Sequence, residues 1–177
     1  MVGATAAALA AHGHCPIAVI RGPASGAAPP TQGPVVVGVD GSPASEAAIA
    51  LAFEKASMRN VGLIAAHTCI DFSDDCSYAY ARQFLVNWDG IETDERELLA
   101  QRLAGWQEKY PDVRVHRAVT RDSPVHHLLE HGAHAGLLIV GSRGRGGISG
   151  MLLGSTSRAL IHHAPCPLFI ARPITAS

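Results

Sequence analysis

The chain has 177 residues, 47% of them apolar and 16% charged, with a formal net charge of −1. That length suits one domain with an appendage, and it buries a core without help from disulfides or metal. The apolar fraction excludes wholesale disorder, and the balanced charge supplies neither a basic field for a nucleic-acid backbone nor an acidic tail.

With 29 alanines and only 5% aromatic residues, the core is expected to use small aliphatic side chains on a sheet. Ten histidines would carry the formal charge from −1 to +9 if all were protonated. Solubility and partner binding can therefore change between about pH 5 and pH 7. Cys15, Cys69, Cys76 and Cys166 form neither a C-x-x-C pair nor a zinc ligand set. They read as reduced thiols of a cytoplasmic protein, with a Cys69–Cys76 pair in an oxidised state as the lesser reading. No apolar run reaches the ~18 residues needed to span a bilayer, so no membrane role is expected.

The N-terminal stretch is apolar, yet it lacks the positive start of a signal peptide and is interrupted by His12, His14 and Pro16. An internal repeat explains it better. Val2–Gly22 aligns without a gap on Leu153–Pro173, with eight of twenty-one positions identical at an offset of 151. Gly3 and Thr5 fall on Gly154 and Thr156, and Cys15-Pro16 on Cys166-Pro167. Residues 1–22 therefore read as the last helix and strand of a preceding copy. Gly22–Pro34, rich in Pro, Gly and Ala, reads as a linker. One complete domain is expected over residues 35–173, with a short tail at 174–177.

Within that domain strand and helix signals alternate. Val35–Val39 is a continuous β-branched run, as in a strand buried on both faces. Ser42-Pro43 reads as an N-cap with proline at the first helical position, opening a helix through Ser57. Val61–His67 is a second strand, and Cys69–Gly90 a long surface excursion. Ile91–Lys109 is an amphipathic helix with Leu98, Leu99, Leu103 and Trp106 on its buried side. Val113–Val119 alternates as a strand, and Ser123-Pro124 opens a helix to about His134. Leu137–Val140 is a short apolar strand, Ser155–His163 a helix and Pro167–Ala171 the last strand. This order predicts an α/β fold: a doubly wound, five-stranded parallel sheet with helices on both faces. Ligands of such sheets bind beyond the carboxyl ends of the strands, where the strand order reverses.

The segment LLIVGSRGRGGISGMLLGSTS carries the strongest chemical signal. Gly141 and Gly144 follow the strand, and Gly154 stands before Ser155, Thr156 and Ser157 at a helix start. Free N–H groups, hydroxyls, Arg143 and Arg145 there suit a phosphate cradle, and the glycine spacing alone equally fits a flexible loop with a capped helix. No Walker lysine is present, and Ser149 stands where a G-x-G-x-x-G would need its last glycine. His127, His131 and His134 share one face of their helix and read as solvated, with metal binding as the lesser reading. His162 and His163 read as structural at a helix end. A Ser–His hydrolase is disfavoured, because no G-x-S-x-G elbow is present.

The spacing G-x2-G-x9-G-S at Gly141, Gly144, Gly154 and Ser155 resembles the nucleotide-binding pattern of the universal stress protein family, in its ATP-binding branch. VVVGVDGSPAS, GLIAAHT and APCPLFIARP resemble its first, second and last strands. The resemblance covers about 140 residues and implies an adenine nucleotide alpha-hydrolase-like fold. Asp40 would sit beside the ribose and phosphates or their metal, and Thr68 would bond the adenine edge through its main chain. Gly141 would lie against the ribose. Arg143 and Gly144 would approach the phosphates, which Gly154, Ser155 and Thr156 would hold. In the remnant, Ala4 stands where Ser155 would be, so it makes no site of its own. The resemblance implies a regulatory module that binds ATP with Mg2+ and couples occupancy to partner binding or to homodimerisation through the last strand. The alternatives are a structural or dimerisation domain without nucleotide, and a slow ATPase. Pro16–Ile20 is expected to add antiparallel to Pro167–Ala171, within the chain or between chains, and the protein to be a dimer or larger.

Overall fold

The computed structural model describes residues 4–13, 15–20, 32–69, 88–145 and 152–173. The elements in chain order are α1 (Ala4–His12), β1 (Ile17–Val19), β2 (Val35–Gly38), α2 (Pro43–Arg59), β3 (Leu63–Thr68) and α3 (Trp88–Lys109). They continue with β4 (Val115–Thr120), α4 (Pro124–Gly132), β5 (Leu137–Gly141), α5 (Ser155–His163) and β6 (Leu168–Ala171). The strand order is β1-β6-β5-β2-β3-β4. From β2 the chain winds outward to β3 and β4, then returns to β5 and β6 on the other side. The order therefore reverses between β2 and β5, where a doubly wound sheet opens its ligand crevice.

The sheet has six strands rather than five. The sixth is β1, which pairs antiparallel with β6 of the same chain, Ala18 opposite Phe169 and Ile17 opposite Ile170. An uncovered β6 would present a row of unpaired N–H and C=O groups, and β1 satisfies them. It also fills the edge that a homodimer through the last strand would use. The other four pairings are parallel.

Each central strand feeds both faces, because successive side chains point to opposite sides. Val35 and Val37 join Ile49, Phe53, Leu99 and Leu103 beneath α2 and α3. Val36, Leu138, Val140 and Ile170 join Leu128, Leu160, Ile161 and Ala10 beneath α4, α5 and α1. Three aromatics meet at one place: Phe53 stacks near Trp106 and Tyr110, with ring centroids 6.2 and 5.9 Å away.

The helix starts follow local chemistry. Ser42 accepts from the Ser45 N–H at 3.1 Å with Pro43 at the first position, and Ser123 accepts from the His126 N–H at 3.2 Å with Pro124 likewise. Asn60 closes α2 at φ 52°, the left-handed conformation that asparagine tolerates. Several expectations shift: α2 runs past Ser57 to Arg59, and β3 spans Leu63–Thr68 rather than Val61–His67. Helix α3 starts at Trp88, since one glycine at position 90 does not stop a helix held by packing. Leu98 is 39% exposed, because Leu99, Leu103 and Trp106 form the stripe at i, i+4 and i+7 and leave it at the border. Strand β4 spans Val115–Thr120, and buried Val113 precedes it. Helix α4 ends at Gly132, and its histidine face is not wholly solvated. His127 is 6% exposed with Nε2 3.3 Å from the Ala118 carbonyl, and its ring meets His131 edge-on at 4.7 Å. Residues 70–87 of the expected excursion and 146–151 of the glycine-rich loop lie outside the described residues. Among the described residues, no helix is long and apolar enough to cross a membrane.

Candidate functional site

The loop after β2 and the loop after β5 meet at the switch point, and Asp40 joins them. Its Oδ1 accepts from the Ser42 N–H at 2.9 Å and its Oδ2 from the Arg145 N–H at 3.1 Å. The Asp40 N–H in turn donates to Ser45 Oγ at 3.1 Å. Ser42, besides capping α2, donates its hydroxyl to the Arg143 carbonyl at 3.2 Å. One carboxylate and one hydroxyl thus fix two loops that are about a hundred residues apart in sequence.

The glycines have separate reasons. A side chain on Gly144 would place its Cβ 2.6 Å from Asp40 Oδ2, so any larger residue fills the space between the two loops. Gly141 is explained by packing: a Cβ there would stand 2.7 Å from the Ala44 carbonyl carbon, where α2 crosses the end of β5. Gly41 has φ +80°, and a Cβ would meet the Arg102 guanidinium at 2.6 Å.

Gly154 N-caps α5 and has no side chain to satisfy the first-turn N–H groups. Its own N–H donates to the Ser142 carbonyl at 2.8 Å, which sets the start of α5 against the β5 loop. Ser155 is exposed and Thr156 half-buried on that first turn, facing the same end of the sheet as exposed Arg143 and Gly144. Asp40, Gly141, Arg143, Gly144, Gly154, Ser155 and Thr156 therefore cluster at the carboxyl ends of β2 and β5. Thr68 ends β3, one strand further along, opposite Thr120.

Ser157, His67 and Arg102 make contacts that the motifs did not show. Ser157 donates its hydroxyl to the Gly141 carbonyl at 2.6 Å and ties α5 to β5 from the buried side. His67 is buried at the end of β3, with Nδ1 2.7 Å from the Val39 carbonyl and Nε2 2.9 Å from Glu95 Oε2. A carbonyl only accepts, so Nδ1 carries a hydrogen and donates it. Arg102 of α3 lies over Gly41 and pairs with Glu46 at 3.3 Å. Glu95 and Arg102 border a small open cleft beside Asp40, with room for about one water (about 10 Å³). They sit on a helix whose packing face alone showed in the sequence.

With this geometry in place, comparison with known proteins decides the family. The universal stress protein family model matches residues 33–172. The chain belongs to the universal stress protein family. Curated universal stress proteins of Mycobacterium tuberculosis and Mycolicibacterium smegmatis are 43% and 44% identical to it over 172 and 173 residues. Those matches cover 97% and 98% of this chain and 56% of each relative, so the chain spans about half the length of the curated relatives it matches. Among solved structures, UspA from Lactobacillus plantarum superposes with a TM-score of 0.65 at 19% identity, covering 80% of this chain and 99% of that one. A universal stress protein from Archaeoglobus fulgidus in complex with dAMP superposes at 0.52 and 19% identity, over 80% and 98%. These two structural matches establish the shared fold of this universal stress protein.

Proposed function

We propose that this universal stress protein domain is an ATP-binding regulatory module of a stress response, whose occupancy is coupled to dimerisation or partner binding. The carrying observation is the cradle at the switch point: a helix start capped by glycine, set by hydrogen bonds against a loop whose glycine leaves open the space beside Asp40. Backbone N–H groups and a helix N-terminus suit phosphate, and Arg143 and Arg145 add charge. The structural neighbour in complex with dAMP, an adenine nucleotide, supports the same ligand class.

Here Gly154, Ser155 and Thr156 would hold the phosphates, Arg143 and Gly144 would flank them, and Gly141 and Asp40 would face the ribose. Thr68 would meet the base. Asp40 keeps lone pairs beyond its two backbone bonds, so it would also face magnesium carried in by the phosphates. Its more direct contribution is to hold both loops in place before the ligand arrives. The cradle consists of binding groups, so binding rather than turnover is the expected activity, with hydrolysis slow if present.

Coupling to the edge has a short route. The Ser142 N–H donates to the Ala171 carbonyl at 2.8 Å, joining the cradle loop to β6. Arg172 follows on β6 and donates to the Ala10 and Ala11 carbonyls of α1 at 2.6 and 2.9 Å.

Calorimetry and thermal melting with ATP and magnesium test the reading. At about 100 times the dissociation constant, ATP should stabilise the fold by about 2.7 kcal/mol. Absence of both heat and melting shift at millimolar ATP would leave the domain as a structural member without nucleotide.

A further inference from the structure

Arg172 stands where the end of β6 meets both the cradle loop and helix α1. The β5–β6 register sets Gly141 beside Ala171, so Arg172 follows next to Ser142 and Arg143. The Ser142 N–H fastens that junction by donating to the Ala171 carbonyl at 2.8 Å. On its other side the Arg172 guanidinium reaches α1, where Nη2 donates to the Ala10 and Ala11 carbonyls at 2.6 and 2.9 Å. We propose that Arg172 is a positioning residue of the phosphate cradle, through which the docking of α1 and the binding of a polyphosphate strengthen each other. This inference rests on the nucleotide-binding reading and names a regulator of that site within the chain itself.

The guanidinium is only partly satisfied where it lies. Its Nε is buried and has no hydrogen-bond partner among the described residues. A charged donor in such a place has lost hydration that no acceptor replaces. Burial is the larger cause that holds its pKa down, and the Arg143 guanidinium is the next, with Cys15 opposing. Two like charges thus lie near each other across the β5–β6 boundary, and neither forms an ion pair among the described residues. The last turn of α1 offsets part of this, because a helix C-terminus carries partial negative charge. The repulsion from Arg143 remains.

A phosphate chain in the cradle supplies the missing charge. It would lie against Arg143 and the first turn of α5, at the same end of the sheet as Arg172. Its charge would offset Arg143 and attract the guanidinium beyond, and salt screens a partly buried charge only weakly. Arg172 gains this without leaving α1, where Nη2 already has two acceptors. Occupancy therefore favours the docked helix. By linkage the docked helix favours occupancy by the same factor, because α1 fixes the second guanidinium beside the site. Helix α1 is lightly enough held to respond: Ala10 is buried, but Leu9 is 62% exposed and Ala8 and His12 are exposed too.

The rival role for Arg172 is a plain tether for α1. Hydrogen exchange at residues 8–13, with and without saturating ATP and magnesium, separates the two. A tether protects α1 alike in both conditions. Coupling should slow exchange there about fivefold or more when ATP is bound. Residues 105–109, at the end of α3 and the far end of the sheet, should exchange at the same rate throughout. Arg172→Gln keeps an amide that donates to an α1 carbonyl but carries no charge. It should abolish the ATP effect at residues 8–13 and weaken ATP in calorimetry by a similar factor. ATP that binds in calorimetry yet leaves residues 8–13 unchanged overturns the proposal and leaves the nucleotide-binding reading standing. Faster exchange there with ATP also overturns it, because phosphate would then draw Arg172 off the helix. So does an ATP effect that persists in full in Arg172→Gln. If the wild-type protein binds no ATP, the nucleotide-binding reading itself fails, and this inference with it.

Discussion

Both carboxylate oxygens of Asp40 are taken by backbone N–H groups from two loops, so the residue stabilises the site's shape as well as facing its ligand. Hydrogen bonds to a charged acceptor are worth about 1.5–3 kcal/mol each when buried, and less at this half-buried position. Asp40→Ala should therefore cost about 1–2 kcal/mol in urea unfolding and weaken ATP together. Unchanged stability with lost binding would make it a ligand contact only. The motif showed which residue to choose; it did not show this use, because the partner N–H of Arg145 is 105 residues away. The histidines give a second test at this scale. His131 has its pKa lowered, first by burial, then by neighbouring His127, with Glu130 opposing and His116 adding. Its unfolded form binds protons more readily, so the stability it allows is present above the ordinary histidine value near ~6.5 and is lost as pH falls below it. His126 has its pKa raised, first by its hydrogen bond to Asp122. Its contribution has the opposite sign, present below ~6.5 and lost as pH rises through the higher folded value. Melting temperatures from about pH 7.5 to pH 5 should fall less for His131→Gln than for the wild type, and more for His126→Gln. Parallel curves for all three proteins would remove both residues from the pH response.

At the scale of elements, what could be read from the sequence was what local chemistry determines. Ser-Pro pairs started α2 and α4, β-branched runs marked β2, and α5 spans the residues its pattern indicated. What could not be read depends on which elements face each other. Leu98 borders a cleft only because α3 packs over the ends of β2 and β3, and the alternation that suggested Val113 as strand could not show where pairing with β3 begins. Ser157 reads as one more helix-start hydroxyl until the Gly141 carbonyl is found 2.6 Å away. The contact between α1 and the domain is likewise invisible in a pattern. Arg172 donates twice to the last turn of α1, where a cation also complements the helix dipole. Burial beside Arg143 holds that guanidinium's pKa down, with desolvation the larger cause. Arg172→Ala should release α1 by about 1–3 kcal/mol of local stability. Hydrogen exchange at residues 8–13 would rise while exchange in β2 and β5 stays protected. Equal protection before and after would show that packing at Ala10 holds α1 without the arginine.

For the molecule as a whole, the repeat and the sheet describe one symmetry. Helix α1 at Ala4–His12 falls on α5 at Ser155–His163 when shifted by 151, and Ile17–Val19 falls on Leu168–Ile170. Under the same shift Ala18 corresponds to Phe169, and these two face each other at the centre of the β1–β6 ladder. Ile17 then faces the equivalent of Val19, and Val19 the equivalent of Ile17. That is the register a two-fold axis would impose on two copies of one strand. The β1 segment thus occupies the place along β6 that a second copy's last strand would take, so a dimer of the full chain would form at the outer edge of β1 or at another surface. Leu168 and Ile170 are buried at 1% and 0% exposure, so removing β1 would leave β6 as an apolar edge seeking another strand. Deleting residues 1–33 should therefore raise the mass per particle in light scattering to that of a dimer, while the full chain shows no association through β6. Added free, a peptide spanning residues 15–21 should compete with that dimer. A deleted chain that stays monomeric with an unchanged melting temperature would show that β1 stabilises nothing and that β6 needs no partner.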